Sequence, residues 1–507
     1  MTEVVATRPV PGAPRPYEFP SFERMRLSNG LTVLTVDLPG RALVSATLVF
    51  RNGAADEPPE HAGATVLAAR ALSEGTERYD AIGLIEAAER LGASLHAESG
   101  WDAMTANVDV PADRLEPALE LLAEMVRRPT FPQAEIERLR DERLNDLLQA
   151  RADPRRRAEE AFADTIYAAD SPYHRPAAGT RETVERLTPE ILRAAYGRGV
   201  DPANLTLVVG GELRGLDVPV IGERLFGSWT ADAASRPTGE IVDRGAVGER
   251  FVRVIHRPGS VQTEIRIDHP GLARRIPDYH AVSVMSAILG GLFNSRLNMK
   301  LREEKGYTYG AHASFDLRRA AGPFGARAAV NTEVTVPAIA DFLAEIERMR
   351  EEPVSDAELT AARDFLVGVF PLRFETPGPV VGAISGLVVH GLPDDELARY
   401  RPSIEAVDRE AIASAARRHL APERMAIVLV GDADAFGKDL EAAGFGRVVV
   451  ERDEGPAMPG PIEGVEDELG PVDQDEDVGP TEGAKEPPDE GAEEPVDADT
   501  EVDPSEP

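Results

Sequence analysis

Three side chains within one short stretch could do chemistry together. The segment L-R-E-E-K-G-Y-T-Y-G, Leu301 to Gly310, carries one guanidinium, Arg302, and two phenols, Tyr307 and Tyr309. It lies just after the glycine-broken run G-G-L-F-N-S-R-L, Gly290 to Leu297. Arginine and tyrosine are hydrogen-bond donors that can grip a carbonyl oxygen and steady an oxyanion as it develops. Neither activates a water molecule by itself. A metal, a general base or a nucleophile must come from elsewhere if the segment takes part in hydrolysis.

The elements that would position it form a duplicated pattern. Val33…Pro39-Gly40 recurs as Val252…Pro258-Gly259, and Pro117-Ala118-Leu119 as Pro337-Ala338-Ile339. Ala134-Glu135-Ile136 recurs as Ala357-Glu358-Leu359, and the strand pattern after Pro202 recurs after Pro422. All four offsets are about 220 residues, far longer than the roughly 20–50 of a solenoid repeat, so they mark duplicated domains. Strands are expected over 25–36 and 42–51, with turns at Asn29-Gly30 and Pro39-Gly40. Helices are expected over 62–72, 80–91 (with Ile82, Ile85, Ala88 and Leu91 on one face), 114–127 and 132–149, followed by a longer helical region to about 168. Gly290-Gly291 is followed by no P-loop lysine and reads as a tight turn. The fold class is α+β, with two homologous tandem domains, each a mainly antiparallel sheet packed with helices. The expected layout is a Pro-rich arm (1–19), a first domain (20–232), a linker (233–247), a second domain (248–450) and an acidic disordered tail (451–507).

The composition narrows the chemistry. Cysteine is absent, which removes disulfides, thiol catalysis and cysteine-bound zinc. The net charge is −34, and residues 451–507 alone hold 22 acidic and 2 basic residues, a net of −20. Subtracting that tail leaves −14 for the first 450 residues, which gives nucleic acid no basic footprint to bind. No apolar run approaches the roughly 18 residues of a membrane span. The N-terminus lacks the apolar core of a signal peptide, so a cytoplasmic location is expected. The tail's composition cannot bury enough apolar surface to offset its ordering entropy.

These phrases resemble the pitrilysin/insulinase family of inverzincin metallopeptidases across nearly all of residues 20–450. The likeness is carried by L-S-N-G-L-T-V (27–33), S-E-G-T (73–76), S-P-Y-H-R-P (171–176), I-L-G-G-L-F-N-S-R-L (288–297), L-R-E-E-K-G-Y-T-Y-G (301–310) and V-L-V-G-D (428–432). The resemblance implies two related domains per chain, and two such chains closing round an unfolded peptide. It also implies a helix bearing H-x-x-E-H, two metal-binding histidines with a glutamate base. Aligned from Gly75-Thr76, those positions hold Val66, Ala69 and Arg70, and the third ligand falls near Asp146. Zinc takes imidazole or carboxylate lone pairs, which Val66 and Ala69 lack, and Arg70 puts a fixed cation in its place. No two of the nine histidines lie three or four residues apart, so no helix presents a histidine pair. His61 with Glu60 reads as a solvated helix entrance, and His96 as a packed or surface strand residue, not a ligand.

The other half of the family's site is present. Arg302 and Tyr309 match the pair that, in this resemblance, contacts peptide and stabilises the tetrahedral intermediate; Asn294 and Tyr307 are further substrate-binding candidates. The family includes pairs in which one chain holds zinc and the other supplies Arg and Tyr. The expected function is therefore the zinc-less subunit of a peptidase, with no cofactor of its own and zinc in a homologous partner. Its other ligand is unfolded peptide, with neither nucleic acid nor membrane as partner. A non-catalytic scaffold or peptide-binding protein of the same fold is the alternative, and a rebuilt metal site a weaker one.

Overall fold

The computed structural model describes Gly12, residues 15–213, 215–235, Gly245 and 248–452. The linker falls mostly outside these residues, and the tail from 453 onward lies wholly outside them.

The first half opens with β1 (Glu23–Arg26), β2 (Thr32–Asp37) and β3 (Leu43–Phe50), followed by β4 (Ser94–Ser99), β5 (Met104–Pro111) and β6 (Leu205–Gly211). They form one sheet in the order β1-β2-β6-β3-β5-β4, antiparallel except for the β2–β6 pair. The second half repeats it with β7 (Phe251–His256), β8 (Gln262–Pro270), β9 (His312–Phe315), β10 (Pro323–Asn331), β11 (Ala426–Gly431) and β12 (Arg447–Arg452). The order here is β12-β7-β11-β8-β10-β9. Position for position the two sheets match, apart from one edge. There β1, antiparallel, comes from before the repeat, while β12, parallel to β7, comes from after it. Glu451 and Arg452 thus finish a strand, and Glu451 accepts two hydrogen bonds from Arg253 (2.8 and 3.0 Å), so the expected tail boundary at 451 is too early.

Successive side chains of a strand face opposite ways, and both faces of these sheets are covered. In the first sheet Val33, Val44, Leu48 and Leu207 face the core under α1 (Ala64–Ala71), α2 (Ala81–Glu89) and α3 (Leu115–Arg127). Leu34, Val36, Val49 and Val208 face the other way, against Val380, Val381 and Ile384 of the second half's helix Pro377–His390. The favour is returned. After α4 (Gln133–Ala152) the chain breaks at Asp153-Pro154, and α5 (Pro154–Ile166) sets Ala158 and Ala161 on Ile255, Val428 and Val430 of the second sheet. Asp153 makes the break by capping α5, accepting from Arg155 and Arg156 N–H. Each half therefore buries one face of the other's sheet.

Two expectations change here. Residues 15–19 are docked onto the second half: Phe19 packs edge-on to Phe374 with centroids 5.0 Å apart, and Arg401 donates to the carbonyls of Arg15 and Tyr17. In α2, Ile82 and Ile85 point to solvent (71% and 54% exposed), and the buried stripe is Leu84, Ala87 and Ala88. That competing i, i+3, i+4 stripe wins because it is the one that meets the core.

Candidate active site: an occupied metal seat and an open Arg–Tyr surface

Helix α1 begins at Gly63, whose φ of +92° favours glycine. Its free N–H groups are met by Glu57, a fully buried carboxylate that accepts from Gly63 N–H at 2.7 Å and Thr65 N–H at 2.9 Å. Arg175 of the S-P-Y-H-R-P phrase adds a guanidinium 3.6 Å from it. Burial raises the Glu57 pKa, and the two N–H bonds and Arg175 pull it back only in part. Sequence reading missed this cap. Glu60 is exposed and His61 half-buried beside it, as a solvated entrance should be, and His96 is exposed on β4.

Along α1, Val66 is half-buried, Ala69 is wholly enclosed in the first core, and Arg70 is exposed. Arg70 reaches Glu142 on α4 at 2.9 Å. One turn further along α4, Asp146 is gripped from two sides, by Arg143 within the same helix and by Arg156 of α5, the latter at 2.6 Å. Burial pushes the Asp146 carboxyl up, but the hydrogen bond from Arg156 and the charges of Arg143 and Arg156 outweigh it, so its pKa is depressed. Arg143 also donates to the carbonyl of Ala178 at 3.1 Å. The seat thus does not fit zinc. Val66 and Ala69 offer no lone pair, Arg70 brings a fixed cation, and the one carboxylate, Asp146, is already ion-paired to Arg143 and Arg156. Arg143 was legible as an i, i+3 partner of Asp146, whereas Arg156 was not, because the break at Asp153 brings it back.

Among the described residues one group of three potential ligands stands elsewhere, His256, Asp432 and Asp434. Its atoms are engaged: His256 Nδ1 accepts from Ala433 N–H, Asp432 caps a helix, and Asp434 pairs with Arg452 at 2.9 Å. Asp37, at the matching place in the first half, likewise accepts from Leu213 N–H. The role of this pair is structural.

In the second half the helix Tyr279–Ser286 passes into a π-helical stretch, Ala287–Gly291, and a second one runs from Asn298 to Glu304. Such wide turns are frequent at functional sites. Gly290 lies inside the first, and a Cβ on it would come 2.3 Å from the backbone nitrogen of Ala313. The glycine is there for close approach to β9, which corrects the expected tight turn. Asn298, buried, ties the ends together: its side chain donates to Leu292 O at 3.1 Å and accepts from Ala311 N–H at 2.8 Å. Arg296 is held by both oxygens of Glu358, at 2.6 and 3.3 Å. Burial would raise that carboxyl, but the bonds from Arg296 and Ser355 bring its pKa to about 2.

On this frame Arg302 and Tyr309 stand at the surface. The Arg302 guanidinium lies over the Phe293 ring, 4.5 Å from its centroid, with Nε 3.4 Å from Glu303. Gly306 (φ +63°) turns the chain, Tyr307 N–H bonds back to Leu301 O at 2.8 Å, and Ala311 returns to Asn298. The Tyr309 loop is thereby anchored on both sides of the Arg302 turn. Tyr309 is 95% exposed, so it packs against no seam within the chain. Tyr307 is partly buried against the second core. Asn294 is exposed at an open groove of about 580 Å³ that it shares with Arg296, Met299 and Lys300. Among the described residues no hydrogen bond or ion pair joins Val66, Ala69, Arg70 or Asp146 to the Arg302–Tyr309 segment.

The two sheets share one topology, α1 offers zinc no set of ligands, and the Arg302–Tyr309 loop stands open. The model of the insulinase family, peptidase family M16, matches residues 32–181, and that of the peptidase M16 inactive domain matches 186–366. The chain belongs to the insulinase (M16) family. An uncharacterized zinc protease of Streptomyces coelicolor is 25% identical over 72% of this chain and 80% of that protein. The non-peptidase homolog YmxG of Helicobacter pylori is 24% identical over 68% and 79%. A crystal structure of a peptidase M16 inactive domain from Pseudomonas fluorescens superposes with a TM-score of 0.76, covering 81% of this chain and 98% of that one at 24% identity. Among the described residues no helix is long and apolar enough to cross a membrane.

Proposed function

We propose that this chain is the zinc-less subunit of a two-chain peptidase, working with a homologous zinc-bearing partner on unfolded peptides. The observation that carries the reading is the contrast between its two half-sites. The metal seat is filled by arginines, while Arg302 and Tyr309 stand open with donors to spare. In the pair, the partner supplies metal and base, and Arg302 and Tyr309 donate hydrogen bonds to the peptide backbone and to the oxyanion. Tyr307 and Asn294 border that surface.

The test mixes the chain with a zinc-bearing homologue and follows peptide cleavage and complex formation together. Arg302→Ala is expected to lower kcat by about 10²–10³, the cost of one lost oxyanion donor, with assembly unchanged. Undiminished turnover in that variant would refute the trans role and favour a scaffold of the same fold.

A further inference from the structure

The Tyr309 side chain stands in water, yet the backbone that carries it is held on both sides. On the way in, Gly306 N–H donates to Arg302 O at 3.0 Å and Tyr307 N–H to Leu301 O at 2.8 Å. On the way out, Ala311 N–H donates to Asn298 Oδ1 at 2.8 Å. Between these anchors the Thr308 hydroxyl spans Tyr309 to reach Gly310, accepting from its N–H at 3.2 Å and donating to its carbonyl at 3.0 Å.

This order returns no packing. Tyr309 and Gly310 are both exposed, so fixing residues 308–310 costs chain entropy without burying a side chain in exchange. What it does fix is the point from which the phenol projects. Asn298 is suited to the task by its chemistry, because an amide carries a donor and an acceptor in one plane. The bond from its nitrogen to Leu292 O, 3.1 Å, sets that plane and aims Oδ1 at Ala311 N–H. Asn298 is only 9% exposed, and Leu292, Leu297 and Ala311 around it in the chain or bonded to it belong to the second core. The mount of the exposed loop is therefore buried and rigid. A donor aimed at developing charge works best when it needs no reorganisation at the moment of reaction.

We infer that Asn298 and Thr308 are positioning residues for Tyr309, a role that rests on the subunit reading above. Neither touches the peptide. Both hold the 308–310 loop so that the phenol meets the oxyanion without first having to be ordered.

The experiment mixes the full-length chain or its variants with the zinc-bearing homologue and reads kcat, KM and complex formation. Thr308→Val removes the hydroxyl at a half-buried surface position and is expected to lower kcat about threefold to tenfold. Asn298→Leu, close in volume, removes both amide bonds and lowers kcat about 10–10²-fold, the order of loss that small misplacement of a catalytic group brings. KM and complex formation stay within about twofold of the parent. The deciding measurement repeats both changes in a Tyr309→Phe background. A residue that acts through the phenol has nothing left to position there, so each change then costs less than about twofold. Losses that keep their full size in that background overturn the inference, as does parent-level kcat in both variants, and either result leaves the subunit reading standing. Where circular dichroism shows that Asn298→Leu does not fold, Thr308→Val decides by the same two comparisons. A parent mixture that cleaves no peptide overturns the subunit reading, and this inference with it.

Discussion

Rebuilding the metal motif on α1 tests how completely the seat has been filled. The perturbation is the triple change Val66→His, Ala69→Glu and Arg70→His. Ala69 has no exposed surface and lies in the first core, so a carboxylate there must be stripped of water, at several kcal/mol per ion. It must also be fitted into packed space, at about 1–3 kcal/mol. Losing the Arg70–Glu142 pair, whose side chains are 44% and 45% exposed, costs only about 0.2–1 kcal/mol. The expected loss is about 4–6 kcal/mol, a large share of the roughly 5–15 kcal/mol that holds a protein folded. Zinc does not recover it, because Asp146 stays bound to Arg143 and Arg156. Urea denaturation followed by circular dichroism reads the stability, and calorimetric zinc titration reads the metal. The expected result is a strongly destabilised chain without stoichiometric zinc. Further replacement of Arg143 and Arg156 by Gln then raises zinc affinity by releasing Asp146. A triple variant that takes up one zinc tightly and melts no lower than its parent would refute the account of the seat.

The seam between the halves gives a second outcome. Arg319 reaches Asp56 at 2.7 Å and Asp102 at 3.4 Å, all three with little exposed surface. Arg319→Ala leaves two buried carboxylates without their cation, so unfolding free energy in urea should fall by about 3 kcal/mol; a change below 0.5 kcal/mol would show the seam to be held otherwise. The third concerns pH. His269 donates from Nδ1 to Pro270 O, its Nε2 is buried without a partner, and burial pushes its pKa down to about 4. The unfolded chain therefore binds this proton first as pH falls from the ordinary histidine value of 6.5. The contribution is complete above 6.5 and is lost between 6.5 and 4. Stability of the parent should decline over that window, and His269→Gln should flatten the part of the slope due to this group.

The duplicated fold was readable because turn dipeptides and strand phrases recur at one spacing, and those landmarks sit where each sheet starts and ends. What sequence could not supply was contact across halves. Nothing local in Pro154–Ile166 or Pro377–His390 says that each helix covers the other half's sheet, since small apolar residues there suit any buried face. The same limit hid Arg156, which meets Asp146 only because Asp153-Pro154 turns α5 back, and Arg319, which finds Asp56 from 263 residues away. The error in α2 had another cause. Ile82–Ile85 and Leu84–Ala87–Ala88 are rival helical stripes within one segment, and periodicity alone cannot choose between them. That Val66, Ala69 and Arg70 offer zinc no lone pairs was legible at once, because it is a matter of residue type.

The two half-sites differ in what folding asks of them. The seat on α1 and α4 is part of the first core and its rim, so filling it with alanine, valine and Arg–carboxylate pairs serves the fold directly. The Arg302 surface serves no such end. Phe293, Met299 and Tyr309 leave large apolar or aromatic area in water, the Asn298 and Arg296 bonds beneath them would hold the turn equally well under smaller side chains, and the Nη edge of Arg302 stabilises nothing described. Folding therefore accounts for the closed seat, whereas the proposed trans role gives the open surface a use. That asymmetry is the physical reason to look for a peptide and a metal-bearing partner at Arg302 and Tyr309, and not for a metal at Asp146.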